Sequence, residues 1–102
     1  MSGAGEREVT LARLWQEHLG TPFPTGLRGS EPAGIDVVLL DAAIAGCVST
    51  RQNNGGFLDA ERHRILRDCI ADVDRALPVI TDTEELGYCR RLHRMATSAL
   101  LS

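Results

Sequence analysis

The stretch that most constrains this chain is "GIDVVLLDAAIAG", Gly34 to Gly46. From Ile35 to Thr50 the residues are apolar almost all round, broken by Asp36 and Asp41. A run like this belongs inside a protein, as a buried parallel strand or as a helix covered on several sides. The strand reading would put Asp41 at a carboxyl end, as a reactive acid. The helix reading makes it a polar exception in a bundle.

The six residues "DVVLLD" resemble the phosphoacceptor strand of response-regulator receiver domains, where the last aspartate takes a phosphoryl group. That family also needs an acidic pair on an earlier strand and a lysine on a later one. Upstream of Asp41 there is only one helical segment and a loop, and all eleven basic residues of the chain are arginines. The helix reading accounts for more. Asp36 falls in a first turn, where a carboxylate favours the helix dipole. Ala42, Ala43, Ala45 and Gly46 are small enough for neighbouring helices to come close. Asp41, Ala45, Ser49 and Gln52 make one narrow stripe that is less buried or faces a polar partner.

The flanking segments are helical too. Leu11, Leu14, Trp15, His18 and Leu19 recur at helical spacing and Gly20 is a natural stop. "TPFPTGLRGSEP", Thr21 to Pro32, holds three prolines and two glycines and is a long loop, with Ser30 as an expected N-cap. Leu58, Ile65, Leu66, Cys69, Ile70, Val73, Ala76 and Leu77 form a helical stripe. "RQNNGGFLD" contains Asn-Gly, a hairpin signal only between alternating hydrophobics. Here Gly55 instead ends one helix in a left-handed conformation, Asp59 caps the next, and Pro78 closes it. Thr81 and Glu84 have capping-box spacing, and Leu86, Cys89, Leu92, Ala96 and Ala99 or Leu100 continue to the end.

The expected fold is therefore all-α: one small four-helix domain over 1–102, with helices near 6–20, 33–53, 59–77 and 82–101. Residues 1–5 are expected to be disordered. The last three helices form antiparallel hairpins with helix 33–53 central, and the first docks through Leu11, Leu14 and Trp15. Only 4% of the residues are aromatic, so the core is aliphatic.

Composition removes several functions. Without lysine there is no Schiff base and no P-loop; arginine in its place fits the genome of a high-GC bacterium. A net charge of −3 gives no general attraction to nucleic acid or anionic membrane. No apolar run approaches the roughly 20 residues that cross a bilayer. Three cysteines without an export signal argue against a disulfide framework and for the cytoplasm. No serine, histidine and acid are arranged for catalysis, so no catalytic residue is assigned and no cofactor is expected.

Two constellations stand out. In antiparallel hairpins, residues level with one another have a constant sum of numbers. By that rule Asp41 lies near Cys69 and Ile70, and Cys69 lies near Cys89 and Arg90. Asp41 is expected either to pair with Arg90 or His93 or to sit solvated on the exposed edge of its helix. Cys69, Cys89 and His93, with Asp41, are the candidate metal ligands, since thiolate, imidazole and carboxylate suit zinc. The same cysteines also fit as small core hydrophobes. A ligand site would use Phe23, Arg28, Asp41 and Arg90, with the 21–32 loop as a lid. The favoured expectation is a non-catalytic interaction module that binds a protein partner or forms a homodimer, because so apolar a central helix has more surface than three neighbours cover. A small-ligand or metal-binding helical protein is the alternative.

Overall fold

The computed structural model describes residues 3–101, with side chains from residue 10 onward. Among these residues there are four α-helices and no strand: α1 Gly3–Leu19, α2 Val37–Asn53, α3 Ala60–Ala76 and α4 Thr83–Leu101. The small all-α domain read from the periodicity is the one observed. The expectation of disorder at 1–5 falls partly outside the described residues, at 1 and 2. Gly3, Ala4 and Gly5 lie in α1, because a formed helix gains one hydrogen bond for each residue it adds.

α2 starts later than the expected 33 for a backbone reason. Ala33 (φ 56°) and Gly34 (φ 77°) are both left-handed, and a right-handed helix cannot run through them. Asp36 is the N-cap rather than a first-turn residue: its carboxylate accepts from the Val38 and Leu39 N–H groups at 3.0 and 3.2 Å. Ser30 caps nothing and donates to the Gly26 carbonyl at 3.0 Å. α2 ends at Asn53, with Gly55 left-handed at φ 63° as its sequence implies. Asp59 caps α3, accepting from the Arg62 N–H at 2.8 Å. Asp82, not Thr81, caps α4, taking the Glu85 N–H at 3.0 Å. A carboxylate one residue closer to the helix outcompetes the hydroxyl.

The core is aliphatic with sulfur: Leu11, Leu14, Ile44, Val48, Leu66, Val73, Leu92 and Met95 are buried, as are all three cysteines, which are free thiols. The centre of the domain is shifted from the expected one. α4 packs against all three other helices, whereas α2 packs mainly against α3 and α4. α4 can do this because Tyr88, Cys89, Leu92, Met95, Ala96 and Ala99 spread its buried side widely. α2 spends part of its apolar surface on water: Leu39 is 67% exposed, and Ala42 and Gly46 are exposed beside it.

The 21–32 segment is fastened down. Pro24 and Leu27 are buried, Thr25–Leu27 forms a 3-10 turn, and Pro32–Gly34 forms another before α2. Proline-set φ angles and one buried leucine anchor a segment too rich in breakers for a helix.

Candidate functional site

The polar centre of the molecule is Asp41, and its partners come from α1 and α4. His18, buried at 8% exposure, donates from Nε2 to Asp41 Oδ1 at 2.8 Å. The Tyr88 hydroxyl donates to Asp41 Oδ2 at 2.5 Å. This corrects the expected pairing of Asp41 with Arg90 or His93. Arg90 points to solvent, and His93 pairs with Asp74 of α3 at 2.9 Å. The levelling rule reaches α4 only one half-turn off, since Tyr88 lies two residues from Arg90. It has no purchase on His18, which arrives through a long irregular connection.

Around this carboxylate the aromatic residues gather. Trp15 stacks on His18 with ring centroids 6.1 Å apart. Tyr88 is tilted against His18 at 5.4 Å. Phe23 meets Tyr88 edge-on at 5.3 Å, and the Arg28 guanidinium lies 5.0 Å over Phe23. Three of the four aromatic side chains of the chain, one Trp, one Tyr and two Phe in all, therefore meet at one place. Of the expected ligand group, Phe23, Arg28 and Asp41 are linked through Tyr88, while Arg90 is not. They form a stack that ties the 21–32 segment to α4.

His18 Nδ1 is buried and has no hydrogen-bond partner among the described residues. Burial, reinforced by the hydrogen bond to Asp41, pushes the Tyr88 hydroxyl well above its ordinary range. Tyr88 is thus held as a donor at neutral pH. The arrangement orients three side chains and fixes three helices; it offers no exposed nucleophile.

The candidate metal ligands are placed apart. His93 is engaged at the surface by Asp74. Among the described residues, no three or more of His, Cys, Asp and Glu stand where they could hold a metal ion. Burial pushes the thiol of Cys69 up to about 11, with Cys47 nearby adding to the effect. Burial does the same to Cys89, also to about 11, with the charges of Glu85 and Asp41 contributing. Cys47 is raised by burial too, and its Sγ–H lies 3.9 Å from the Arg62 carbonyl. Thiols kept protonated are poor ligands and poor nucleophiles.

Beside Tyr88 a cleft of about 150 Å³ opens between Pro22, Pro24 and Gly87, with Glu84 and Arg91 at its edges. Arg91, not Arg90, is the arginine at this site. Its Nη1 donates to Thr21 Oγ1 at 3.2 Å and its Nε lies 3.8 Å from Glu17 Oε1. Its signal lay in "RRLH", where it is the arginine facing α1 and Arg90 the one facing water.

The second feature is the outward face of α2. Leu39, Ala42, Gly46 and Thr50 succeed one another at three- and four-residue steps, with Ala43 beside Ala42, and so share a side of the helix. Two open grooves flank it. One, of about 370 Å³, includes Ala42, Gly46, Thr50 and Ile65. The other, of about 340 Å³, includes Ile35, Leu39, Leu40 and Ala43. No family model, curated protein or solved structure matches the chain. Among the described residues, no helix is long and apolar enough to cross a membrane.

Proposed function

We propose that the chain is a non-catalytic helical interaction module of the cytoplasm that self-associates as a homodimer through the outward face of α2. The observation that carries this reading is Gly46. A glycine inside a helix costs roughly 0.5–1 kcal/mol relative to alanine. A Cβ built at Gly46 would meet nothing within 4 Å, so packing within the chain does not require the glycine. Seven residues before it, Leu39 is 67% exposed. In an antiparallel two-fold pairing of α2 with its copy, Leu39 of each chain lies over Gly46 of the other. A two-fold interface uses the same patch twice, and this patch carries both the knob and the gap. Three free buried thiols support a reducing compartment.

Sedimentation velocity over a concentration series tests the reading. The expected result is a dimer for the parent chain and a monomer with unchanged helical circular dichroism for Leu39→Glu. A parent chain that stays monomeric throughout would overturn it.

The alternative, a small ligand held beside the 21–32 segment, draws support from Arg91 at the edge of the Tyr88 cleft. It would show as a thermal stabilisation by small carboxylates that disappears in Arg91→Gln.

A further inference from the structure

We propose that Asn54, in the turn joining α2 to α3, is a site of spontaneous covalent modification, closing with Gly55 to a succinimide and reopening as aspartate and isoaspartate. Asn54 and Gly55 are both exposed. Asn54 is the C-cap of α2, at φ −108° and ψ 29°, and Gly55 follows at φ 63°. The attacking group is the Gly55 backbone nitrogen. Glycine has no Cβ to crowd that approach. Among the described residues the Gly55 N–H donates no hydrogen bond, although its neighbours do: the Asn54 and Gly56 N–H groups both donate to the Arg51 carbonyl, at 3.2 and 3.0 Å. Nothing in the turn therefore opposes loss of the Gly55 proton.

The chemistry needs only water. The Gly55 nitrogen gives up its proton and bonds to Asn54 Cγ; the Cγ–Nδ2 bond breaks and ammonia leaves. Water then cleaves the five-membered ring at one of its two carbon–nitrogen bonds. Cleavage at Cγ restores the ordinary backbone with an aspartate side chain. Cleavage at the main-chain carbonyl leaves isoaspartate, in which the backbone runs through the former side chain.

The turn sets the rate. To bring the Gly55 nitrogen onto Cγ, Asn54 has to rotate away from ψ 29°, and the Phe57 N–H that donates to its carbonyl at 3.2 Å has to let go. Exposed turns with few buried contacts open at the low end of a protein's local stabilities, and two consecutive left-handed glycines, at φ 63° and 90°, ease the rotation. The product is a one-way change at the end of α2. Net charge goes from −3 to −4, with the new carboxylate at the negative end of the helix dipole. Isoaspartate also lengthens the main chain by one methylene, which the pair of bonds to the Arg51 carbonyl cannot both accommodate.

The test is incubation of the folded full-length chain near physiological pH and temperature, followed by tryptic digestion and mass spectrometry of the peptide Gln52–Arg62. Asn53 lies in the same peptide, is equally exposed and is followed by asparagine, so it is the internal control. The expected result is progressive loss of the amide at Asn54, with isoaspartate among the products, while Asn53 keeps its amide. A more acidic form should accumulate on anion exchange and be absent from Asn54→Gln. Three results would each overturn the proposal: equal loss at Asn53, aspartate without isoaspartate, or an Asn54 that keeps its amide in the folded chain while the urea-unfolded chain loses it.

Discussion

Replacing Tyr88 by phenylalanine removes one oxygen and leaves the ring packing against His18 and Phe23 in place. What is lost is the 2.5 Å donation to Asp41 Oδ2. A hydrogen bond to a charged group contributes about 1.5–3 kcal/mol. Asp41 keeps its bond from His18, and its side chain is 17% exposed, so water can reach it and the lower half of that range applies, about 1.5–2 kcal/mol. Unfolding entropy of about 2.1 cal/mol/K per residue over a chain of this size turns that into a fall in Tm of roughly 7–9 °C. Thermal melts followed by circular dichroism at neutral pH would measure it. The network also predicts coupling: Asp41→Asn and Tyr88→Phe act on one bond, so the double variant should lose less than the two singles together. A Tm fall below about 2 °C, or energies that add to within about 0.5 kcal/mol, would refute the claim that this contact ties α4 to α2.

Alkali should destabilise the domain through its thiols. Cys69 and Cys89 hold their protons up to about 11 in the folded chain, against 9.0 when unfolded. With folded values raised, their contribution is complete below pH 9.0 and is lost as pH rises through about 11, since only the unfolded chain sheds protons in that window. Each thiol accounts for up to roughly 2–3 kcal/mol. Urea midpoints measured under reductant should therefore fall steadily across that window, and a flat profile would count against the buried-thiol reading. Gly46→Ala should raise the stability of the dilute, monomeric chain by about 0.5–1 kcal/mol, or roughly 2–5 °C in Tm. A loss instead would mean that the site is not open.

The parts of this fold that could be read from the sequence are those governed by local rules. Gly55 and Asp59 announce the α2–α3 turn because a left-handed C-terminal residue and a carboxylate cap each act within a few residues. The stripe of Leu66, Cys69, Val73 and Ala76 declares the buried side of α3 for the same reason. The periodicity places the start of α2 too early because Ala33 gives no sign of a left-handed conformation, which alanine rarely adopts. Thr81 and Asp82 both precede α4, and the capping-box spacing of Thr81 with Glu84 points away from the carboxylate one residue closer to the helix.

Asp41 shows where local rules stop and what replaces them. The sequence established that a carboxylate in an apolar helix needs a partner, and the spacing of the hairpins pointed to α4 at very nearly the right height. The partner that could not be read is His18, because register passes through short turns and is lost across the irregular segment between α1 and α2. That same segment brings Phe23 onto Tyr88, so the connection that hid the site also completes it. The proline-rich segment, His18, Asp41 and Tyr88 are one unit: the carboxylate fixes the two side chains from α1 and α4, and the aromatic stack they start fixes the connection. The physical consequence is a division of labour within α2. The side of the helix bearing Asp41 is committed to holding the domain together. The side bearing Leu39 and Gly46 makes no such bond within the chain, and it is the surface on which the proposed self-association rests.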